Sequence, residues 1–325
     1  MIRFISRRFG FLLLTLLLTS ILIFVITQFL PGDVCRIIMG REAAESALEN
    51  CREERGLNDP APVQYVRWLA SFVQGDWGES FTDQTAVRPV VMERLRNSMR
   101  LGALTLLFAV PLAIGLGVIA GLNRDRFVDN AINVGSLSFV GLPEFVTGLV
   151  LIQLFAFTIN DWLDDAFGIR PFLANSSIRP GASFGEALPA LILPAITATL
   201  VLLAYIARLT RAGVLEELKQ SYVRTATLKG LPRRVVVSKH VLRNALLPTI
   251  TVIAISIGWL ISGLIVIENV FNYPGLGRLM VFAIDRRDLP TLQAITMVTV
   301  LVFALANLTA DLLYAWLNPR IRLGQ

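Results

Sequence analysis

Apolar positions in this chain gather into long unbroken runs, with no sustained alternation between apolar and polar residues. Six runs stand out, at about 9–30, 99–122, 133–159, 187–207, 245–268 and 291–317. As a helix, about 20 residues suffice to cross the roughly 30 Å hydrocarbon core of a bilayer. Lipid offers the backbone no hydrogen-bond partner, so a continuous apolar run must cross as a helix, whereas a membrane barrel alternates apolar and polar positions. The pattern predicts an all-α integral membrane protein with six transmembrane helices. The first run is too long for a cleaved signal peptide, and no small-x-small site precedes Pro31, so it is expected to remain as the first span.

The polar stretches divide the chain into 1–30, the N-terminus and first span; 31–97, an external segment; and 98–325, a core of spans two to six. In the external segment, Pro60-Ala61-Pro62 predicts a turn, followed by a helix over 64–73 with Tyr65, Trp68, Leu69 and Phe72 on one face. That stripe is expected to pack on the core or lie at the membrane interface; contact with substrate is the competing reading. Asp161, Asp164, Asp165 and Glu186 mark a second external segment, read as a solvated acidic loop or, alternatively, a collector of cationic substrate. In a third, Pro274-Gly275-Leu276-Gly277-Arg278 predicts a turn into a short helix.

Composition and charge narrow the reading. The chain is 54% hydrophobic and 17% charged with a net charge of +6, and its basic residues sit beside the runs. Arg3, Arg7 and Arg8 precede the first run, Arg124 and Arg126 join the second and third, and Arg320 and Arg322 follow the sixth. The largest cluster, Arg208, Arg211, Lys219, Arg224, Lys229, Arg233, Arg234, Lys239 and Arg243, joins the fourth and fifth against only Glu216 and Glu217. Six spans put all four clusters on one side, which Lys and Arg mark as cytoplasmic. Both termini are then cytoplasmic, and topology accounts for the basicity without nucleic acid. Within the large loop, 208–247, residues 222–229 lack helix breakers and Gly230-Leu231-Pro232 supplies a stop. A short helix at the membrane face suits transmission of force to a soluble partner.

This loop resembles the EAA loop of ATP-binding-cassette (ABC) import permeases, in the branch that carries oligopeptides, dipeptides and nickel. The likeness rests on Tyr222, Arg224, Ala226, Lys229-Gly230-Leu231-Pro232, His240, Arg243-Asn244-Ala245 and Leu247-Pro248. Leu30-Pro31-Gly32-Asp33, Gly56-Leu57, Pro62-Val63-Gln64-Tyr65, Gly75-Asp76-Trp77-Gly78, the 274–278 string and Asn318-Pro319-Arg320 extend it in order. Arg224-Thr225-Ala226 stands where the naming Glu-Ala-Ala would, and the stretch from Gly230 to Pro248 is longer than in other ABC importers; both look usual for the peptide branch.

The resemblance implies a type I ABC importer-like permease of di- or oligopeptides in a bacterial inner membrane, with a large external segment after the first helix. It implies a second homologous permease, two ABC ATPases, an external substrate-binding protein and surrounding membrane lipid as partners. It implies a coupling helix over about Glu216–Lys229, with Tyr222, Arg224, Ala226, Lys229, Gly230, Leu231 and Pro232 engaging the ATPases. Gly230 is expected to serve a tight turn that a side chain would block, so that Gly230→Asp uncouples transport. A permease for nickel or another small solute is the nearest alternative. Cys35 and Cys51, the only cysteines, both fall in the external segment, where an oxidising compartment favours a disulfide.

The residues supply no fuel chemistry. No G-x-x-x-x-G-K-[ST] string occurs, so ATP and Mg belong on the partner ATPases and this chain carries no cofactor. One histidine and two separated cysteines make no metal cluster, and no nucleophile has a base beside it, so the chain is not an enzyme. His240 reads as a polar loop residue, with a proton relay as the sharper alternative.

Charges inside spans are functional candidates by default. Glu144 follows Pro143 within the third run and reads either as a pathway group for a peptide's amino end or as a structural carboxylate bonded to Ser136, Ser138 or Thr147. Ser262 and Glu268 on the fifth run are further pathway candidates. Gly258, Ser262 and Gly263 give that run a small face suited to packing, and Asp311 suits an interfacial Arg. A self-powered transporter would need several buried carboxylates and inverted repeats, and only Glu144 fits.

Overall fold

The computed structural model describes residues 2–29, 34–40, 42–54 and 56–317. Leu30-Pro31-Gly32-Asp33, Asn318-Pro319-Arg320 and Arg322 lie outside the described residues, as do the side chains of Arg3 and Ser262. In chain order the helices are α1 (Ile2–Phe29), α2 (Val34–Met39), α3 (Glu45–Glu54), α4 (Ala61–Gln74), α5 (Val87–Leu122), α6 (Phe127–Gly141) and α7 (Glu144–Leu151). A π-helical segment, Ile152–Ile159, leads into α8 (Asn160–Phe167), then α9 (Phe184–Glu217), α10 (Ser221–Leu228) and α11 (Arg233–Val235). A second π-helical segment, Val236–Val241, leads into α12 (Leu242–Val270), followed by α13 (Leu276–Arg286) and α14 (Leu289–Leu317).

Six stretches have the length and hydropathy to cross a membrane: Ser6–Gln28, Val87–Leu122, Glu144–Phe167, Phe184–Glu217, Arg233–Gly258 and Leu289–Leu312. The fold is the expected all-helical one, but several helices outrun their apolar runs. α5 starts at Val87, about twelve residues before the hydropathy run, because only one stripe of that extension is apolar. Val87 and Val91 bury against Leu276, Ala283, Ala294, Ile295 and Val298, while Arg88 and Glu93 on its other sides hide the helix from a hydropathy reading. α9 likewise begins at Phe184, where the Glu186 carboxylate accepts from the Ser183 backbone N–H at 2.8 Å and the Ser183 hydroxyl accepts from the Glu186 N–H. This reciprocal cap corrects the reading of Glu186 as an open loop acid. Asp164 and Asp161 are also engaged, by Arg170 at 2.9 and 3.5 Å.

α5, α9 and α12 form the centre, with Leu101, Leu104, Ala109, Leu191, Ala198, Leu202, Leu260 and Leu264 buried between them. Gly258 sits against Phe303 and Asn307 of α14, so that part of the small face of α12 serves packing. Asp311 pairs with Arg8 at 3.0 Å, tying α14 to α1. The aromatic stripe of α4 packs rather than lining a pathway. Tyr65 and Trp68 lie 5.4 and 6.0 Å from Phe24 of α1, and Phe72 stacks on Trp77 at 5.1 Å. In the external segment Cys35 and Cys51 are joined, with Leu48 buried beside them.

Candidate coupling face and translocation cavity

α9 ends at Glu217 and the chain turns at Leu218–Gln220 before α10 begins at Ser221, so the short helix is Ser221–Leu228 rather than the expected Glu216–Lys229. The reason lies in Val223 and Ala226. Both are buried against Val214, Val236, Val241 and Ala245, which orients α10 across the ends of α9 and α12 instead of continuing α9. Three residues apart, they share one helix face. Arg224, Leu228, Lys229 and Leu231 are exposed on the remainder, with Leu228 79% accessible.

The helix stop is a backbone device. Leu231 N–H bonds the Ala226 carbonyl at 3.4 Å and Gly230 N–H bonds the Thr227 carbonyl at 3.0 Å, with Gly230 at φ +76°. This is a Schellman closure, which places its C′ residue in the left-handed region. A Cβ on Gly230 would meet nothing within 4 Å. The conformation, not lack of space, therefore demands glycine, which corrects the steric expectation.

Tyr222 ties this helix to both flanking spans. Its hydroxyl donates to the Glu217 carboxylate and accepts from Asn244 Nδ2 at 3.0 Å, with the His240 carbonyl 3.3 Å away. Burial raises the phenol above its ordinary range, so the hydroxyl stays a neutral donor. Lys239, His240 and Arg243 line a cleft of about 230 Å³ beside it.

A residue that the sequence reading missed reinforces the same face. Asp129, near the start of α6, is fully buried and receives Arg211 of α9 through two bonds of 2.6 Å. Asn133 Nδ2 and the Asp125 N–H complete its shell at 2.7 and 3.0 Å. The Arg211 hydrogen bond holds the carboxyl down to about 2. Its contribution to stability is therefore complete above the ordinary carboxylate range near pH 4 and fades only as pH falls toward 2. Asp129→Ala is expected to cost about 2–5 kcal/mol by leaving Arg211 unpaired. Thermal stability of the detergent-solubilised protein measures this, and a change below about 1 kcal/mol rules out a fastening role. An Asp just after a basic turn, with Asn four residues on, was the available signal.

Span three is broken where proline predicts. Leu142 and Pro143 are extended, and Glu144 opens α7 as its first residue. The break leaves Glu144 at the wall of a cavity of about 940 Å³ shared with Phe139, Val201, Tyr205, Ile255 and Ser256. Glu144 is half-buried and makes no hydrogen bond or ion pair among the described residues. Ser138 instead bonds the Val134 carbonyl, and the buried Thr147 hydroxyl has no partner among the described residues. Gly263 also lines the cavity.

Glu268 is placed elsewhere. It is fully buried and does not line this cavity. Its Oε1 accepts from the Ser98 hydroxyl at 2.5 Å, and its Oε2 accepts from the backbone N–H groups of Gly277 and Arg278 at 2.7 and 3.2 Å. The carboxylate thus caps α13 and ties it to α5, and a Cβ on Gly275 would overlap it. This explains the 274–278 string: glycine is needed where a buried carboxylate reaches a helix start. Nearby, Tyr273 donates to the Asn97 carbonyl at 2.8 Å, and Asn97 Nδ2 donates to the Pro274 carbonyl at 3.0 Å.

Six spans, a cavity at a broken helix and a short helix clamped beyond two spans define a membrane transport component. The chain belongs to the binding-protein-dependent transport system inner membrane component family, which its residues 113–323 match, while residues 1–102 match that family's N-terminal part. It is an ABC importer permease subunit, multi-pass in the inner membrane, and not an enzyme. The chain is 36% identical to a probable peptide ABC transporter permease protein, y4tP, of Sinorhizobium fredii over 98% of this chain and 99% of that one. It is 35% identical to the glutathione transport system permease protein GsiC of Escherichia coli K12 over 99% of each. A crystal structure of an amino acid ABC transporter with histidines covers 71% of this chain and 94% of its own at 15% identity and a TM-score of 0.46.

Proposed function

We propose that this permease forms half of the pathway of an ATP-driven importer of di- or oligopeptides, paired with a second related permease. Two ATPases carrying ATP and Mg bear on α10, an external binding protein delivers substrate, and both termini are cytoplasmic. One observation carries this reading: α10 is anchored by Val223 and Ala226 yet offers Arg224, Leu228, Lys229 and Leu231 outward. Force on that surface passes through Tyr222 into α9 and α12 together, because its hydroxyl bridges Glu217 and Asn244. Reconstitution of the permease pair with ATPases and binding protein tests it. Peptide uptake is expected only with ATP, and uptake by the lone chain without nucleotide rejects the proposal.

Within the cavity, Glu144 is the group that meets a peptide's ammonium. It is a carboxylate with no partner among the described residues, set in the largely apolar wall of a cavity of about 940 Å³ at the first position of α7. Glu144→Gln is expected to lower uptake of peptides with free amino ends about tenfold, as about 1.4 kcal/mol of lost attraction implies. N-acetylated peptides should be unaffected, and equal uptake of both classes removes the role.

The Cys35–Cys51 bridge staples α2 to α3 and, by loop closure, adds about 3 kcal/mol to the external segment. Mass spectrometry of peptides digested without reductant should find the two cysteines linked; two alkylated thiols remove the bridge.

A further inference from the structure

The helix α4 carries three distinct stripes. Tyr65, Trp68 and Phe72 pack inward on Phe24 and Trp77, with the half-buried Leu69 on the same face. Gln64, Arg67, Ser71 and Gln74 form a polar stripe, in which Arg67 pairs with Asp59 at 2.7 Å and Gln64 bonds Gln28 at 2.9 Å. Val63, Val66, Ala70 and Val73 form the third, spaced so that all four share one face. That face is bare: Val63, Val66 and Val73 are 46, 63 and 78% accessible.

Its depth decides what covers it. Tyr65 hydrogen-bonds Ser20 at 2.8 Å, eight residues inside the Gln28 end of the first span, or about 12 Å along that helix. Nearer the Gln28 end, Thr27 of α1 accepts from Gln293, near the start of the sixth span. Between Ser20 and Thr27, Val25 and Ile26 of α1 are themselves 42 and 53% accessible, as a lipid-facing span requires. An amphipathic helix at this height, apolar toward both the bundle and the bilayer and polar along one edge, meets the requirements of an interfacial helix.

We infer that α4 lies in the bilayer interface on the face opposite α10, with the Val63–Val66–Ala70–Val73 stripe inserted among lipid acyl chains. The segment after the first span is then anchored to the membrane by its third helix, not suspended in solvent. Apolar area in this stripe adds to membrane attachment without any contact to protein.

Spin labels at Val66→Cys, Val73→Cys and Gln74→Cys test this in the complete importer in phospholipid nanodiscs; Cys35 and Cys51, being joined, take no label. At 66 and 73, collision with oxygen is expected to exceed collision with a water-soluble nickel chelate by at least about threefold, and at 74 the order should reverse. Chelate-dominated collision at 66 and 73 places the stripe in water and overturns the inference. Labels at 66 and 73 that are immobile and shielded from both reagents place it against protein and overturn it too.

Discussion

Replacing Glu268 with alanine should destabilise the protein at least as much as removing the Asp129 carboxylate. The carboxylate is fully buried and is the acceptor for the N–H groups of Gly277 and Arg278 and for the Ser98 hydroxyl. Ser98 in turn accepts from the Leu276 N–H at 2.8 Å, so one deletion orphans donors on both α5 and α13. Leaving such donors unpaired costs about 1–3 kcal/mol each, and a total of about 3–5 kcal/mol is expected for the site. Glu268→Gln keeps one acceptor oxygen and should cost roughly half. Gly275→Ala should approach the alanine variant, because its methyl group takes the space of the carboxylate. Thermal unfolding of the purified complex reads all three. If Glu268→Ala stays within about 1 kcal/mol of the parent, the cap does not hold α13.

The second large effect is expected at Gly230, on transport rather than stability. At φ +76° a β-branched residue is strained by about 1–3 kcal/mol, whereas asparagine tolerates the left-handed region. Gly230→Val should therefore unmake the stop after α10 and lower ATP-driven uptake about tenfold or more, with normal amounts in the membrane. Gly230→Asn should stay within about threefold of the parent. Gly230→Asp shares that tolerance, so any larger loss there reports its added negative charge on a basic face. Equal losses in the valine and asparagine variants exclude backbone strain as the cause.

The two sites differ in how far the sequence exposed them. Around Gly230 the signals were local: a breaker-free stretch followed by Gly-Leu-Pro, readable without any fold. Even there the start of α10 was misplaced at Glu216, since only packing of Val223 and Ala226 against Val214 and Val241 shows where α9 stops. Glu144 was legible because Pro143 breaks an apolar run beside it, yet its unpaired state in a cavity depends on α9 and α12. The bonds of Glu268 were not legible, since an acid near a span end looks the same in sequence whether it faces a pathway or caps a helix. Ser98 is about 170 residues from it in sequence, a separation no local pattern bridges. Asp129 was hidden for the same reason, its partner Arg211 having been read as a topological charge.

Hydropathy alone determined the class of this protein, because a continuous apolar run can satisfy its backbone in lipid only as helix. Local turn chemistry determined that a short capped helix interrupts the basic loop, and the order of short motifs pointed to the family. The tertiary structure decided which polar groups are fastenings and which are unspent. Burial and hydrogen bonding depend on what distant helices bring near, so Glu268 and Asp129 became clamps while Glu144, at the cavity wall, has no partner among the described residues.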